Sequence, residues 1–178
     1  MNTYKFLAKG AVGPISGFRW PTPHGAMPGA WIEVEGPLSL CTNGVHVCAA
    51  HDLAHWLNDA LWSVDADGEH VEGLDRLIVR RARLARRIDG WNERGAVRFA
   101  EACIEHATSV TLPTPSDLVR GYLDDAKEAV RAGYAVVGAF CAALATSKAA
   151  AAAHAEQTYR RERAWQASWI SRELIAHL

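Results

Sequence analysis

This chain has almost no excess of charge: 19 lysines and arginines against 20 aspartates and glutamates leave a formal net charge of −1. A global electrostatic footprint for DNA or RNA is thereby excluded, and any nucleic-acid role would need a local patch. Long hydrophobic runs are missing too. The most apolar stretch, "AGYAVVGAFCAALATS" at 132–147, is shorter than the roughly 20 residues a bilayer crossing needs, and its alanine and glycine content reads as a buried helix. The opening "MNTYKFLAKGAVG" lacks the basic segment, apolar run and small-residue cleavage site of a secretory leader, so a cytoplasmic location is expected. Cysteine is scarce: four residues, at 41, 48, 103 and 141, fit no compact disulfide framework and would stay reduced in such a compartment. Cys103 and Cys141 sit in apolar helical patterns and read as core residues. No internal repeat of fixed period is present.

What is present is a globular composition, 49% apolar and 22% charged over 178 residues, enough for one ordinary domain or a small domain with a helical extension. The two halves differ. Residues 1–90 hold five of the seven prolines and ten of the fourteen glycines, which punctuate short apolar runs as turns punctuate strands. "TYKFLAKG" reads as a first strand with Tyr4, Phe6 and Ala8 on one face. "AWIEVEG" at 30–36 and "NGVHVC" at 43–48 alternate strictly, the latter setting Val45 and Val47 opposite His46 and Cys48. Leu53, Trp56, Leu57 and Leu61 predict a short helix beginning near Asp52, and "WSVDADGEHVE" predicts a strand turning at Asp67-Gly68. "RLIVRRARLARRI" at 76–88 reads as a further strand.

Beyond "DGWNERG" the pattern becomes helical. Val97, Ala100, Cys103, Ile104 and Ala107 form one stripe. "TLPTPSD" at 111–117 breaks it, with Ser116 or Asp117 as the next N-cap, and the remainder is helix-compatible almost throughout. A run of that length predicts a hairpin, turning near Gly133 or near Thr146-Ser147. The expectation is therefore an α+β chain: a small, mainly antiparallel sheet region within a first domain at 1–110, and a C-terminal helical hairpin at 111–178 packing on it.

Candidate chemistry gathers in "CTNGVHVCAAHDLAH", 41–55, which holds two of the cysteines and three of the eight histidines. Zinc takes four ligands of these types, and Cys41, His46, Cys48 and His51, with His55 one helical turn further on, offer an alternative metal-site reading, although the spacing matches no paired motif. A Cys48 or Cys41 nucleophile with His46 as base is another reading, Cys48 being activated by the N-terminus of the following helix. The aromatic loop containing Phe18, Trp20 and Trp31 either lines a cleft or fills the core. Six arginines at 76, 80, 81, 83, 86 and 87 follow five acids at 65, 67, 69, 72 and 75; pairing across a hairpin or simple solvation is expected of them, rather than a phosphate-binding strip.

The segments "YKFLAKGAVGPISGFRW", "GPLSLCTNGVHVC", "LWSVDADGE" and "RLIVRRARL", over residues 4–107, resemble an uncharacterised family of bacterial and phage proteins marked by C-x-x-G-apolar-H-x-C, a resemblance that implies no activity. The order of strand, helix and strand in "GVHVCAAHDLAHWLNDALWSVDADGE" is similar to the compact ADP-ribosyltransferase fold. That resemblance implies NAD or another nucleotide as ligand, His46 in the pocket, and Glu69 or Glu72 as the acid that steadies a ribosyl cation. A transferase-like site so read uses His46 and Glu69 as catalytic residues, with Trp20 and Cys48 against the cofactor. Departures from the pattern are an absent His or Arg in "NTYKF" and an absent Ser-Thr-Ser element. The competing expectation is a non-enzymatic binding or assembly module, a homo-oligomer formed through C-terminal helices whose Trp165, Trp169 and Leu174 are exposed if left unpaired. The expected partners are thus a small molecule or nucleotide, or a second copy, and neither membrane nor nucleic acid.

Overall fold

Alternating apolar residues between glycine and proline breaks build five antiparallel strands: β1 (Thr3–Leu7), β2 (Ile32–Glu33), β3 (Val45–Ala49), β4 (Ala60–Glu72) and β5 (Leu77–Arg87). The structure is a computed structural model that describes residues 2–40, 42–111 and 115–175. β1 pairs with β3 on one side and β4 on the other, and β5 pairs with the same two strands, so β1, β3, β5 and β4 close a four-stranded barrel. β2 adds to β5 through Ile32 and Glu33. Closure satisfies backbone groups that an open sheet would leave at its edges.

Leu7, Val47, Trp62, Val64, Val79 and Leu84 belong to one buried cluster, and alternation places them on the inner faces of the strands. Trp20, from the loop after β1, joins that cluster and is 5% exposed, so it fills the core rather than lining an open cleft. Burial of one such side chain contributes about 1.5–3 kcal/mol. The outer-facing Tyr4, Phe6 and Cys48 are also buried. A 3-10 turn over Ala50–His55 packs against β1 and β3, with Leu53 and Ala54 fully buried. It is shorter than the helix predicted from Asp52.

The β4–β5 ribbon corrects one expectation. Asp67-Gly68 does not turn the chain: it forms a bulge within β4, and the reversal comes over Gly73–Arg76, where the Gly73 N–H donates to the Arg76 carbonyl at 2.8 Å. Reversal at Asp67 would have cost the cross-strand pairs of the ribbon. Asp65 lies opposite Arg83 with a 2.8 Å ion pair, Asp67 opposite Arg81 with another, and Glu69 reaches Arg80 at 2.7 Å. Three of the six arginines are thus paired with acids across the ribbon. Trp31 lies under both the Arg81 and Arg83 guanidinium groups, 4.8 and 4.6 Å from its ring.

Residues divide into two compact units, Met1–Gly90 and Trp91–Leu178. The division falls at Gly90 instead of 110, because α1 (Glu93–Val110) packs with the later helices. The helical stripe read at 97–107 is α1, and the region expected as a hairpin holds three helices, α2 (Asp117–Arg131), α3 (Ala135–Ala149) and α4 (Ala155–Ile170), the last continuing into a π turn over Ser171–Ile175. Breaks at Gly133 and after Ala149 both occur, where the sequence suggested one or the other. Ser116 caps α2 by accepting from the Val119 N–H, and Asn92, not foreseen, caps α1 by accepting from the Gly95 N–H. Trp165 stacks on His106 at 3.8 Å and Trp169 meets Phe99 at 5.6 Å, each half-buried, and Leu174 is buried, so all three find partners within the unit. Among the described residues no helix is long and apolar enough to cross a membrane.

Gly44 gives the sharpest test of the barrel. Its φ is +144°, and a Cβ there would lie 1.9 Å from Cγ2 of Ile78 on β5. Gly44→Ala is expected to destabilise the protein by about 2–4 kcal/mol, from backbone strain together with displacement of a fully buried isoleucine, read as a lower urea midpoint at unchanged slope.

Candidate functional site

β1 and β3 pair at only two positions, Thr3 with Ala49 and Tyr4 with Cys48. Beyond them the strands part, and Lys5 fills the gap. Lys5 lies opposite Trp62 on β4, on a strand face shared with the core, yet its Nζ donates to the backbone carbonyl of His46 at 2.6 Å, where a ladder bond would otherwise form. The ammonium also lies 5.1 Å from the Trp20 ring. Burial pulls the amine down from its ordinary 10.5 to about 8.

Outside this gap is a cleft of about 30 Å³ lined by Lys5, His46, Cys48, Trp56 and Arg76, with Tyr4, Phe6 and Val47. That is space for roughly two water molecules. Its walls carry donors. An ammonium has three protons, and the one bond that Lys5 makes among the described residues leaves two unmatched. Arg76 gives its Nε to Asp75 at 2.8 Å and spreads its guanidinium over Trp56 at 4.8 Å, with both Nη groups making no hydrogen bond among the described residues. Trp56 is fixed by its own Nε1 donating to the Asp75 carbonyl at 2.7 Å. The His46 ring, on the outer face of β3, makes no hydrogen bond among the described residues. Burial first, then Lys5 and Arg76, hold its pKa below the usual histidine value, which favours the neutral ring at pH 7. Carboxylates stand outside the lining: Asp75 is bonded to Arg76, and Asp52 is on the 3-10 turn.

Of the sequence-predicted residues, His46 and Cys48 line this cleft and the other described ones do not. Cys48 lies in the cleft wall but is 2% exposed, donates its Sγ to the Tyr4 carbonyl at 3.4 Å, and is pushed up by burial to about 12. It is a thiol at neutral pH, and the turn after β3 does not activate it. Trp20 is on the inner side of the wall while His46 and Cys48 are on the outer side. Glu69, at the β4 bulge, is exposed and committed to Arg80, and β5 lies between its strand and the one carrying His46. His51 is exposed beside Asp52, 3.4 Å away, and His55 is exposed as well. Cys41 lies outside the described residues. Among the described residues no three histidine, cysteine or acidic side chains gather in a way that could hold a metal ion.

Lys5, Trp56 and Arg76 were not singled out from the sequence. The available signal was in "TYKFL", where Lys5 falls on the strand face of Thr3 and Leu7, a cation aligned with core positions. A second polar cluster, also missed, lies in the helical unit. His106 Nδ1 is 2.8 Å from Glu162 Oε2, while Gln166 donates to the Ala139 carbonyl and accepts from Arg163. Burial pushes the Glu162 carboxyl up against the opposing pull of His106. With Cys103 fully buried beside it and also pushed up by burial, this network ties α1, α3 and α4 together and offers no accessible nucleophile.

Comparison with protein-family models, curated proteins and solved structures gives no match.

Two outcomes follow for the site. Below about pH 8 Lys5 is charged in both folded and unfolded chains, and its burial costs stability in full. Between about 8 and 10.5 the unfolded chain alone keeps the proton, so this cost is relieved as pH rises, by about 3 kcal/mol at most. Denaturant titrations across that window should show a rise in stability that Lys5→Met flattens. In the native protein at pH 8, a thiol reagent should modify the half-buried Cys141 well before Cys48 or Cys103, and equal rates would contradict the assignment.

Proposed function

We propose that the barrel unit is a binding module that holds one small anionic group, a carboxylate or a species of similar size, in the cleft between β1 and β3. The observation that carries this reading is that three residues able to donate line one cleft with no carboxylate in its lining: Lys5, Arg76, whose Nη groups make no hydrogen bond among the described residues, and His46, whose neutral ring offers one N–H. All three are half-buried, and an oxyanion with several lone pairs accepts from an ammonium, a guanidinium and an imidazole N–H at once. The space takes a formate-sized group, or the terminal carboxylate of a larger ligand. It does not take a nucleotide, whose parts would have to lie outside it.

An ADP-ribosyl transfer reading has its support in the order of strand, turn and strand after Gly44. It would require His46 and Glu69 to reach one substrate from either side of β5, with Glu69 released from Arg80. The anion reading needs no such rearrangement.

A specific observation also favours self-association of the helical unit. α3 carries no charged residue before Lys148, yet Val136, Val137 and Phe140 are exposed on it, beside the exposed Tyr134. A helix apolar all round is normally covered on every side. With no charge along this face to recognise a polar partner, the same face of a second copy is the occupant we favour.

Formate titrated against the protein should shift the His46 ring resonances with saturation. Lys5→Met and Arg76→Gln should each weaken binding by about ten- to a hundredfold, the loss of one charge-assisted hydrogen bond. Saturation unaffected by either substitution would overturn the cleft reading. For the helical unit, sedimentation should show a concentration-dependent dimer that Phe140→Glu abolishes; a monomer at all concentrations would overturn that assignment.

A further inference from the structure

We propose that Lys5 makes its own anion by adding carbon dioxide, so that the cleft is a lysine carbamate site. This rests on the anion-binding reading above. The geometry suits the product better than the free amine. A carbamate nitrogen keeps one N–H, and that proton can hold the bond to the His46 carbonyl which Lys5 already makes at 2.6 Å. The protons that have no partner in the amine are replaced by a carboxylate, in a cleft that Arg76 and His46 also line and where each has an N–H to offer it.

Volume limits the reagent. About 30 Å³ beside the amine admits carbon dioxide but not a sugar or an aromatic aldehyde. The step balances without a further reactant. The neutral amine attacks the carbon of CO2, a C–N bond forms, one C–O π pair moves onto oxygen, and the amine loses a proton to the neutral His46 ring or to water, giving Lys-NH-COO⁻ and H⁺.

Electrostatics act in the same direction. The groups facing Lys5 are Arg76 and His46 on the cleft wall, the neutral thiol of Cys48, and, further out, Asp75 bound to Arg76 and Asp52 on the turn. Lys5 and Arg76 both disfavour a charge on His46, so exchange of the ammonium for an anion would remove one of these repulsions and add an attraction to Arg76. Because burial has already lowered the amine toward neutrality, an appreciable fraction is unprotonated near pH 8, as the addition requires.

The test uses the full chain equilibrated with carbon-13 bicarbonate near pH 8, with the carbamate observed by carbon NMR and then trapped by O-alkylation for mass mapping. The expected result is a carbamate on the peptide carrying Lys5, absent in Lys5→Arg and reduced about tenfold or more in Arg76→Gln, both variants being checked for the wild-type melting transition. Should Lys5→Arg fail to fold, the mapped position in the wild-type protein decides alone. Saturable formate binding without carbamate on Lys5 would overturn this proposal and leave the anion cleft standing. Carbamate confined to the chain's N-terminal amine would overturn it equally, and absence of both formate binding and carbamate would overturn both readings.

Discussion

The bond from Lys5 Nζ to the His46 carbonyl is the constraint around which the barrel wall is organised. A closed barrel of four strands has little interior, and it must bend its strands apart somewhere to close. Here the parting falls between β1 and β3, after two paired positions. An unmatched carbonyl left there would cost about 1–3 kcal/mol, and a lysine drawn from the inner face matches it. The remedy has its own cost, because the amine is largely out of water. What results is a charged donor, only partly satisfied, beside a small, mostly apolar cleft that Arg76 and His46 also line.

Around that bond the remaining features of the unit fall into support roles. Gly44 lets the chain enter β3 close against Ile78, and Asn43 ties the approach by donating from Nδ2 to the carbonyls of Glu35 and Pro37. Trp56, locked to the Asp75 carbonyl, is the platform that sets Arg76 toward the cleft. The arginine and acid ladder of the β4–β5 ribbon is largely self-neutralised at the surface, where single pairs contribute at most about 1 kcal/mol each. Its role is register: Asp65 opposite Arg83 and Asp67 opposite Arg81 hold the ribbon in one alignment through the bulge.

Much of the fold was legible in the sequence, because alternation in "TYKFL" and "NGVHVC", the caps at Ser116, and the break at Gly133 are local signals. The α+β class follows from them. Less legible was anything set by pairing at a distance. Asp67-Gly68 reads locally as a turn, but cross-strand partners up to Glu72 carry β4 past it. The 1–110 boundary followed the proline-rich break, whereas α1 buries Phe99 and Cys103 among the later helices. For the site, the motif at 41–48 drew attention to the right strand and the wrong atoms: Cys48 is sealed, and His46 contributes its carbonyl as much as its ring. Lys5 and Arg76 are 71 positions apart in sequence, and only barrel closure brings them to one cleft.

The measurement that tests the central claim most directly is the titration of the Lys5 amine by NMR, with carbon-13 at its ε position, in the absence and presence of formate. A buried, half-satisfied donor that holds an anion should titrate near 8 alone and move upward when formate is added, since an anion stabilises the charged form. A titration at the ordinary 10.5, unmoved by formate, would show a solvated lysine and contradict the account.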